Sequence, residues 1–402
     1  MRQNTDLEPL GPLARGMAQS GLRLANERTI LTLVAISPGT SNADLARTSG
    51  LGPQTTSRIL SELETRGILI RGSVLRGRRG QPATPYFLNP EAAYTLGVEL
   101  GWRHTHIVLL DFVGTVLAQN CRSHPFPDAR TVVEELAQDI ADVAEHLTAD
   151  QRRRLLGIGI GMPGRIERNI SMLGAPPEQF TLWQGLDVPG GLEEATGLRV
   201  EAFNDGSAGC WAEMSRNSQA RHQGFAYFHA GVFVGGGIIM DGQLWDGPAG
   251  SGANLGSVMV FDADGSPSFV HLVGSIVALE NRLKAAGRPL PPGCPTDWNW
   301  DELEPVAGEW MAAAGAALAQ GIISTQAVAG IDLAVIDGVM PRPIVERLVE
   351  TIQAALARTP ELTNAHPRVE IGHFGGTAAA MGAAHRLAYN SYFSRGWNLL
   401  AT

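Results

Sequence analysis

Within residues 28–90, three short helical patterns are followed by a basic, Gly-rich hairpin, and few folds accommodate that order. Arg28 to Ile36 reads as an apolar helix. Ser41 to Gly50 (SNADLARTSG) reads as a short second helix that Ser41 can cap, with Asp44 three residues on in a capping-box-like position. SGLGP (Ser49 to Pro53) supplies a turn, and Pro53 suits the first turn of a third helix, Pro53 to Arg66. Leu45, Leu51, Ile59, Leu60 and Leu63 fall where one apolar face packs the helices together. An apolar-ended segment, Gly67 to Arg71, then leads into RGRRGQP (Arg76 to Pro82). Together these describe a winged helix-turn-helix.

The third helix opens with Gln54, Thr55, Thr56, Ser57 and Arg58, short polar side chains plus one Arg. Such residues suit base edges and phosphates in a major groove, and Ser41 is grouped with them as a DNA contact. The loop residues Arg76, Arg78, Arg79 and Gln81 resemble an AT-hook core, an Arg-Gly-Arg-Pro segment for a narrow minor groove, with Gln81 in place of the second Arg. A solvated basic linker is the alternative. Charge favours nucleic acid: residues 1–90 hold 11 Arg against 6 acidic residues, so this end is +5 and the rest of the chain is −14. An acidic body repels DNA and leaves the basic end to bind it.

The chain has 402 residues, enough for two or three domains. We divide it into a mobile leader (1–21), the winged helix (22–90) and the remainder (91–402). With 48 Gly and 44% apolar residues, that remainder suits a compact α/β body rather than disorder. No uninterrupted apolar run reaches the roughly 18 residues of a membrane span. The polar N-terminus lacks the apolar stretch of a signal peptide. Cys121, Cys210 and Cys294 are odd in number and dispersed, which points to a reducing cytoplasm. From Tyr94 three strands run through turns at Gly101–Arg103 and Phe112–Gly114. A helix over 129–148 and strands Leu155–Gly164 and Leu198–Asp205 follow, then a helix and a second hairpin. The last third alternates helices (304–327, 342–358, 376–390) with strands LAVIDG and RVEIGHF. Two successive β-β-β-α-β-α units predict a duplicated actin/hexokinase-like (ribonuclease H-like) α/β fold with a cleft between lobes.

The segments ANERTILTLV, LGVELG, LLDFVGTVL, GIGIGMPG, FNDGSAGCWAE, VGGGIIMDGQLWDG and FGGTAAAMGAA occur in this order behind the winged helix. In this the chain resembles the ROK family of bacterial repressors and sugar kinases, over nearly its full length. The resemblance implies a transcriptional regulator, a repressor in the first instance, that binds double-stranded operator DNA as a dimer or tetramer. Its lobes would bind a carbohydrate-derived effector.

Kinase chemistry is not expected. In the family's kinases an Asp-x-Gly-Gly-Thr turn holds phosphate. Here Glu99-Leu100-Gly101-Trp102-Arg103 stands in its place, and Trp102 would keep the backbone from a phosphate. The second phosphate turn has become Ala230 to Gly235, without polar groups. The catalytic-position Asp is kept as Asp205, after Asn204, and is read as an acceptor for a sugar hydroxyl, a relic, or part of a buried structural pair. Asn254 and Ser257 replace the family's sugar-gripping Glu and its His; His271 falls near a second sugar-gripping Glu. No Cys remains in DADGSPSFVHLVGS, so neither zinc nor ATP is expected as a cofactor, and Phe269 is the expected packing for that loop. Candidate ligand residues are therefore Pro163, Gly164, Asn204, Asp205, Asn254, Ser257 and His271, a set suited to a sugar acid or sugar phosphate. His104 and His106 share a strand face with no further ligand nearby in sequence and are read as an exposed face. Trp183, Trp298, Trp300 and Trp310 are expected to pack. Two alternatives stand beside the regulator: a DNA-binding protein whose degenerate lobes only oligomerise, and a sugar kinase with a DNA-binding arm.

Overall fold

A computed structural model describes residues 19–73, 84–216, 224–247, 252–361 and 365–394. The loop residues Arg76, Arg78, Arg79 and Gln81 lie outside the described residues. The chain divides into two compact units, one of residues up to Leu88 with Tyr392–Ser394, the other from Asn89 to Ser391 with the chain end.

The first unit begins with helix α1 (Gln19–Ile36), followed by β1 (Thr40–Ser41), α2 (Asn42–Ser49), α3 (Pro53–Thr65), β2 (Leu69–Arg71) and β3 (Pro85–Leu88). The helix read from Arg28 thus starts at Gln19, inside the segment read as a leader. No Pro or stop signal interrupts Gln19 to Glu27. Strand order is β1-β3-β2, all antiparallel, which makes the wing. The fully buried Ile30, Val34, Leu45, Leu60 and Leu63 form the core. Buried Glu27 accepts from Arg23 on its own helix and from Arg66 just after α3, fixing the two helices together.

Ser41 caps α2 by accepting from the Asp44 N–H at 3.2 Å and donating to Asp44 Oδ2 at 2.7 Å. The helix closes at Gly50, whose φ of +69° suits a residue without Cβ. Ser41→Ala should cost about 1 kcal/mol of stability. A urea titration of wild type and variant measures it, and equal midpoints would mean the cap contributes nothing.

The second unit contains two five-stranded sheets. In the first, β4 (Tyr94–Leu100), β5 (His104–Asp111) and β6 (Val116–Ser123) form an antiparallel meander. After α4 (Val132–Ala144), β7 (Leu155–Met162) joins β4 in parallel; after α5 (Val188–Thr196), β8 (Val200–Asn204) joins β7. Helix α6 (Asp205–Arg216) leads to the second sheet: β9 (Phe225–Ala230), β10 (Val234–Met240) and β11 (Gln243–Leu244), again an antiparallel meander. A small hairpin, β12 (Met259–Phe261) and β13 (Pro267–Phe269), precedes α7 (Ile276–Ala285) and α8 (Val306–Ala329). Then β14 (Leu333–Gly338) joins β9 in parallel, and after α9 (Arg342–Leu356), β15 (Arg368–Ile371) joins β14. Helix α10 (Ala378–Tyr392) closes the unit. The orders β6-β5-β4-β7-β8 and β11-β10-β9-β14-β15 are the same topology twice, as the repeated pattern predicts.

Helix α8 is long and apolar enough to suit a bilayer, but 61% of that window is buried, and Trp310, Ala314 and Leu318 are fully buried. It is a core helix. Trp298, Trp300 and Trp310 form a chain of ring contacts at 5.8 and 6.1 Å, and Trp183 is buried elsewhere, so all four pack as expected. Phe269 does not: its side chain is exposed, and Val260 and Val270 anchor the hairpin instead. Strand alternation turns Phe269 outward on the face shared with Met259 and Phe261.

Helix α10 meets the first sheet almost backbone to backbone. A Cβ on Gly97 would lie 2.1 Å from Ala380 O, one on Gly159 2.2 Å from Ala383 O, and one on Gly382 1.7 Å from Ala208 O of α6. Only glycine permits this approach.

Candidate functional site

Helix α3 separates its faces cleanly. Thr56, Ile59, Leu60 and Leu63, at helical spacing, are buried, while Gln54, Ser57 and Arg58 are exposed and Thr55 is half-buried. Thr56 is therefore a core residue rather than a base contact, and its hydroxyl donates to Gly52 O at 3.3 Å. Ser41, committed to its cap, is likewise not free to read a base. Arg58 pairs with Glu62 one turn on at 2.9 Å, an exposed contact that a phosphate can displace. The polar residues that stay accessible at the start of α3 are Gln54, Thr55, Ser57 and Arg58.

The second site is a narrow cleft between the two sheets of the second unit, with an internal volume of about 30 Å³, on the scale of one or two water molecules. Strand β4 brings Glu99, β5 brings His104, the start of α6 brings Asp205, and β9 brings Tyr227 and His229. Trp102 stands edge-on to Phe233 with ring centroids 4.9 Å apart, and both line the cleft. Arg103, next in sequence, donates to Glu280 of α7 at 2.7 Å and to Pro125 O at 2.7 Å. Behind the lining, Asp337 on β14 is buried and accepts from the Gly375 N–H and, at 3.4 Å, from Tyr227 OH; that hydroxyl lies 3.2 Å from His229 Nδ1. Sequence reading missed Tyr227, His229 and Asp337. The signal was the alternation along β9, which puts Phe225, Tyr227 and His229 on one face.

Of the ligand residues expected from sequence, Asp205 lines the cleft. Asn204 adjoins it, donating to Asp205 Oδ1 at 3.1 Å and accepting from the Ser207 N–H at 3.1 Å. Asn254 and Ser257 are exposed outside the cleft lining, Pro163 is buried and Gly164 exposed at the end of β7, and half-buried His271 leans on Phe233 at 5.6 Å. Those positions follow from loop geometry that motif spacing does not carry. His104 and His106 are not on an exposed face: His104 is buried and His106 half-buried, beneath the cleft. With Glu99 and Asp205 both present, the lining is more acidic than the sequence set suggested.

Burial raises the Asp205 carboxyl to about 6; the Gly206 N–H opposes this and the Glu99 charge adds to it. In Glu99 burial also favours the neutral form, but the charge of His104, with that of His106 and His229, outweighs it and holds the carboxyl below its usual range. Because the Asp205 value is raised above its ordinary 3.8, the folded state holds the extra proton between those values. Stability tied to it is present at low pH and is lost as pH rises through about 6. Asp205→Asn should therefore stabilise the protein at pH 7.5 by about 1–2 kcal/mol, less than the full shift because the native hydrogen bonds favour the carboxylate. The gain should vanish near pH 4. Thermal melts of both proteins across this range check it, and a destabilised variant at pH 7.5 would contradict it.

Residues 95–389 match the sequence pattern of the ROK family, well over half of the chain. The chain belongs to the ROK family. Residues 23–70 also match the winged helix-turn-helix DNA-binding pattern, the segment that holds α2 and α3. Among relatives of this ROK chain, an uncharacterized protein of Sinorhizobium fredii is 25% identical over 92% of each chain. A xylose repressor of Caldicellulosiruptor bescii is 24% identical over 65% of this chain and 64% of its own length, so the match spans just under two thirds of that repressor. The crystal structure of a ROK family transcriptional regulator, a homolog of the E. coli MLC protein, superposes with a TM-score of 0.66 at 18% identity, over 95% of this chain and 100% of that one. The likeness establishes the shared fold. This ROK protein is a DNA-binding transcriptional regulator.

Proposed function

We propose that this ROK regulator represses transcription as a homodimer, contacting operator DNA through α3, and that its cleft binds a carbohydrate-derived effector rather than phosphorylating a sugar. The observation that carries the DNA reading is the split of α3 into a buried apolar face and an exposed Gln54, Ser57, Arg58 face. Two half-sites require two such helices, which favours a dimer. Against phosphoryl transfer, the Trp102–Phe233 pair fills the wall where a phosphate would need backbone N–H groups, and Arg103 is engaged by Glu280. In favour of a polyol, the Asp205 and Glu99 carboxylates can accept from hydroxyls inside the cleft.

The test is fluorescence anisotropy on the DNA upstream of the protein's own gene, with and without xylose, other sugars, sugar acids and sugar phosphates. Tight binding shifted by one of these compounds supports the proposal and names the effector. Tight binding that none of them shifts moves the reading to lobes that only oligomerise. Turnover of ATP with any of these sugars in a coupled assay would overturn the non-enzymatic reading.

A further inference from the structure

Three side chains that could ligate a metal meet beneath the cleft, brought together by one tight hairpin. In the β4–β5 register Glu99 stands opposite His106, and His104 lies two residues before His106 on the same face. One ligand atom from each of Glu99, His104 and His106 lies within 4.8 Å of the other two, and His104 Nε2 is 3.4 Å from Glu99 Oε1. The imidazole rings are 4.9 Å apart.

The second observation is that these nitrogens are orphaned. Among the described residues, His104 Nε2 and His106 Nδ1 are buried without a hydrogen-bond partner, His104 Nε2 standing 3.4 Å from Glu99 Oε1. The His104 side chain is only 6% exposed. Buried polar atoms are ordinarily satisfied, so an unpaired pair aimed at one carboxylate marks a missing partner. Gly101 contributes: a Cβ there would stand 3.1 Å from His104 Nε2. The His373–Glu213 pair differs, because there Nδ1 already meets Oε2 at 2.9 Å.

We propose that Glu99, His104 and His106 form a binding site for one divalent transition-metal ion. Two imidazoles and a carboxylate suit zinc, nickel, cobalt or iron rather than magnesium or calcium, which take oxygen. Coordination bonds of about 2.0–2.1 Å need ligand atoms somewhat over 3 Å apart, so small ring rotations close the site. Three protein ligands leave a position open towards the cleft, where Asp205 and His229 lie, for water or an oxygen of a bound molecule. The ion would satisfy the stranded nitrogens and set a fixed positive charge at the cleft floor. The site stands whether or not the cleft takes a carbohydrate.

The test uses full-length protein, treated with EDTA and exchanged into metal-free buffer. Calorimetric titration with ZnCl2 should show one equivalent bound. Either His106→Gln or Glu99→Gln should weaken binding by roughly 100-fold, at or above the range for loss of an outer-shell partner. His373→Gln should leave it unchanged. Co2+ should give visible d–d bands without a thiolate charge-transfer band. No binding by the wild type, wild-type affinity in both site variants, or a thiolate band placing the ion on cysteine would each overturn the proposal. Should the variants misfold, the wild-type cobalt spectrum and stoichiometry decide.

Discussion

Arg58→Ala weakens operator binding by about 1–3 kcal/mol, a factor of about 5 to 150, if Arg58 reads a base edge. Among the described residues its exposed guanidinium is held by Glu62 alone, in an i,i+4 pair worth a few tenths of a kcal/mol, so little is lost from the free protein. The discrimination between base and phosphate lies in two further readouts. A base contact relaxes preference at one operator position. A phosphate contact weakens all sequences alike and lowers the salt slope by about one. Anisotropy at several salt concentrations, on the operator and on a scrambled duplex, separates the two. Unchanged affinity on both would remove Arg58 from the interface. Thr56→Val is the matched control: the side chain faces the core, so DNA affinity should hold.

Gly382→Ala should prevent folding or cost more than about 4 kcal/mol, the range reserved for severe overpacking and strain. A single added carbon would sit 1.7 Å from Ala208 O, and the obstacle is backbone, not a side chain that can rotate away. Gly97→Ala, at 2.1 Å from Ala380 O, should behave alike. Gly164→Ala is the comparison, since nothing lies within 4 Å of its added carbon, and it should change stability little. Soluble yield and melting temperature of the three variants measure this, and a Gly382→Ala protein melting like wild type would refute the close packing.

Local rules were sufficient for the winged helix and the repeated sheets. Ser41, Asp44, Gly50 and Pro53 are short-range signals, and β-β-β-α-β-α repeats itself in hydropathy. Thr56 was misread although its burial was legible, because Thr56, Ile59, Leu60 and Leu63 share one helical stripe. Glu99 escaped as a neighbour of His106 for a different reason. Five to seven residues separate it from the two histidines along the chain, and only the hairpin register reveals that they face each other. Asn254 and Ser257 were placed in the cleft by motif correspondence, whereas the direction of loop side chains is set by packing that no spacing encodes.

The Arg103–Glu280 pair ties the turn after β4 to α7 right beside Trp102, while the glycine seam joins α6 and α10 to each other and α10 to the first sheet. With only about 30 Å³ inside the cleft, a sugar-sized ligand has room behind Trp102 once that arrangement parts. Capture should then be governed by a first-order opening step: observed association rates level off as ligand concentration rises, instead of climbing in proportion to it. A sensor built this way responds to how long a compound persists as well as to how much of it is present.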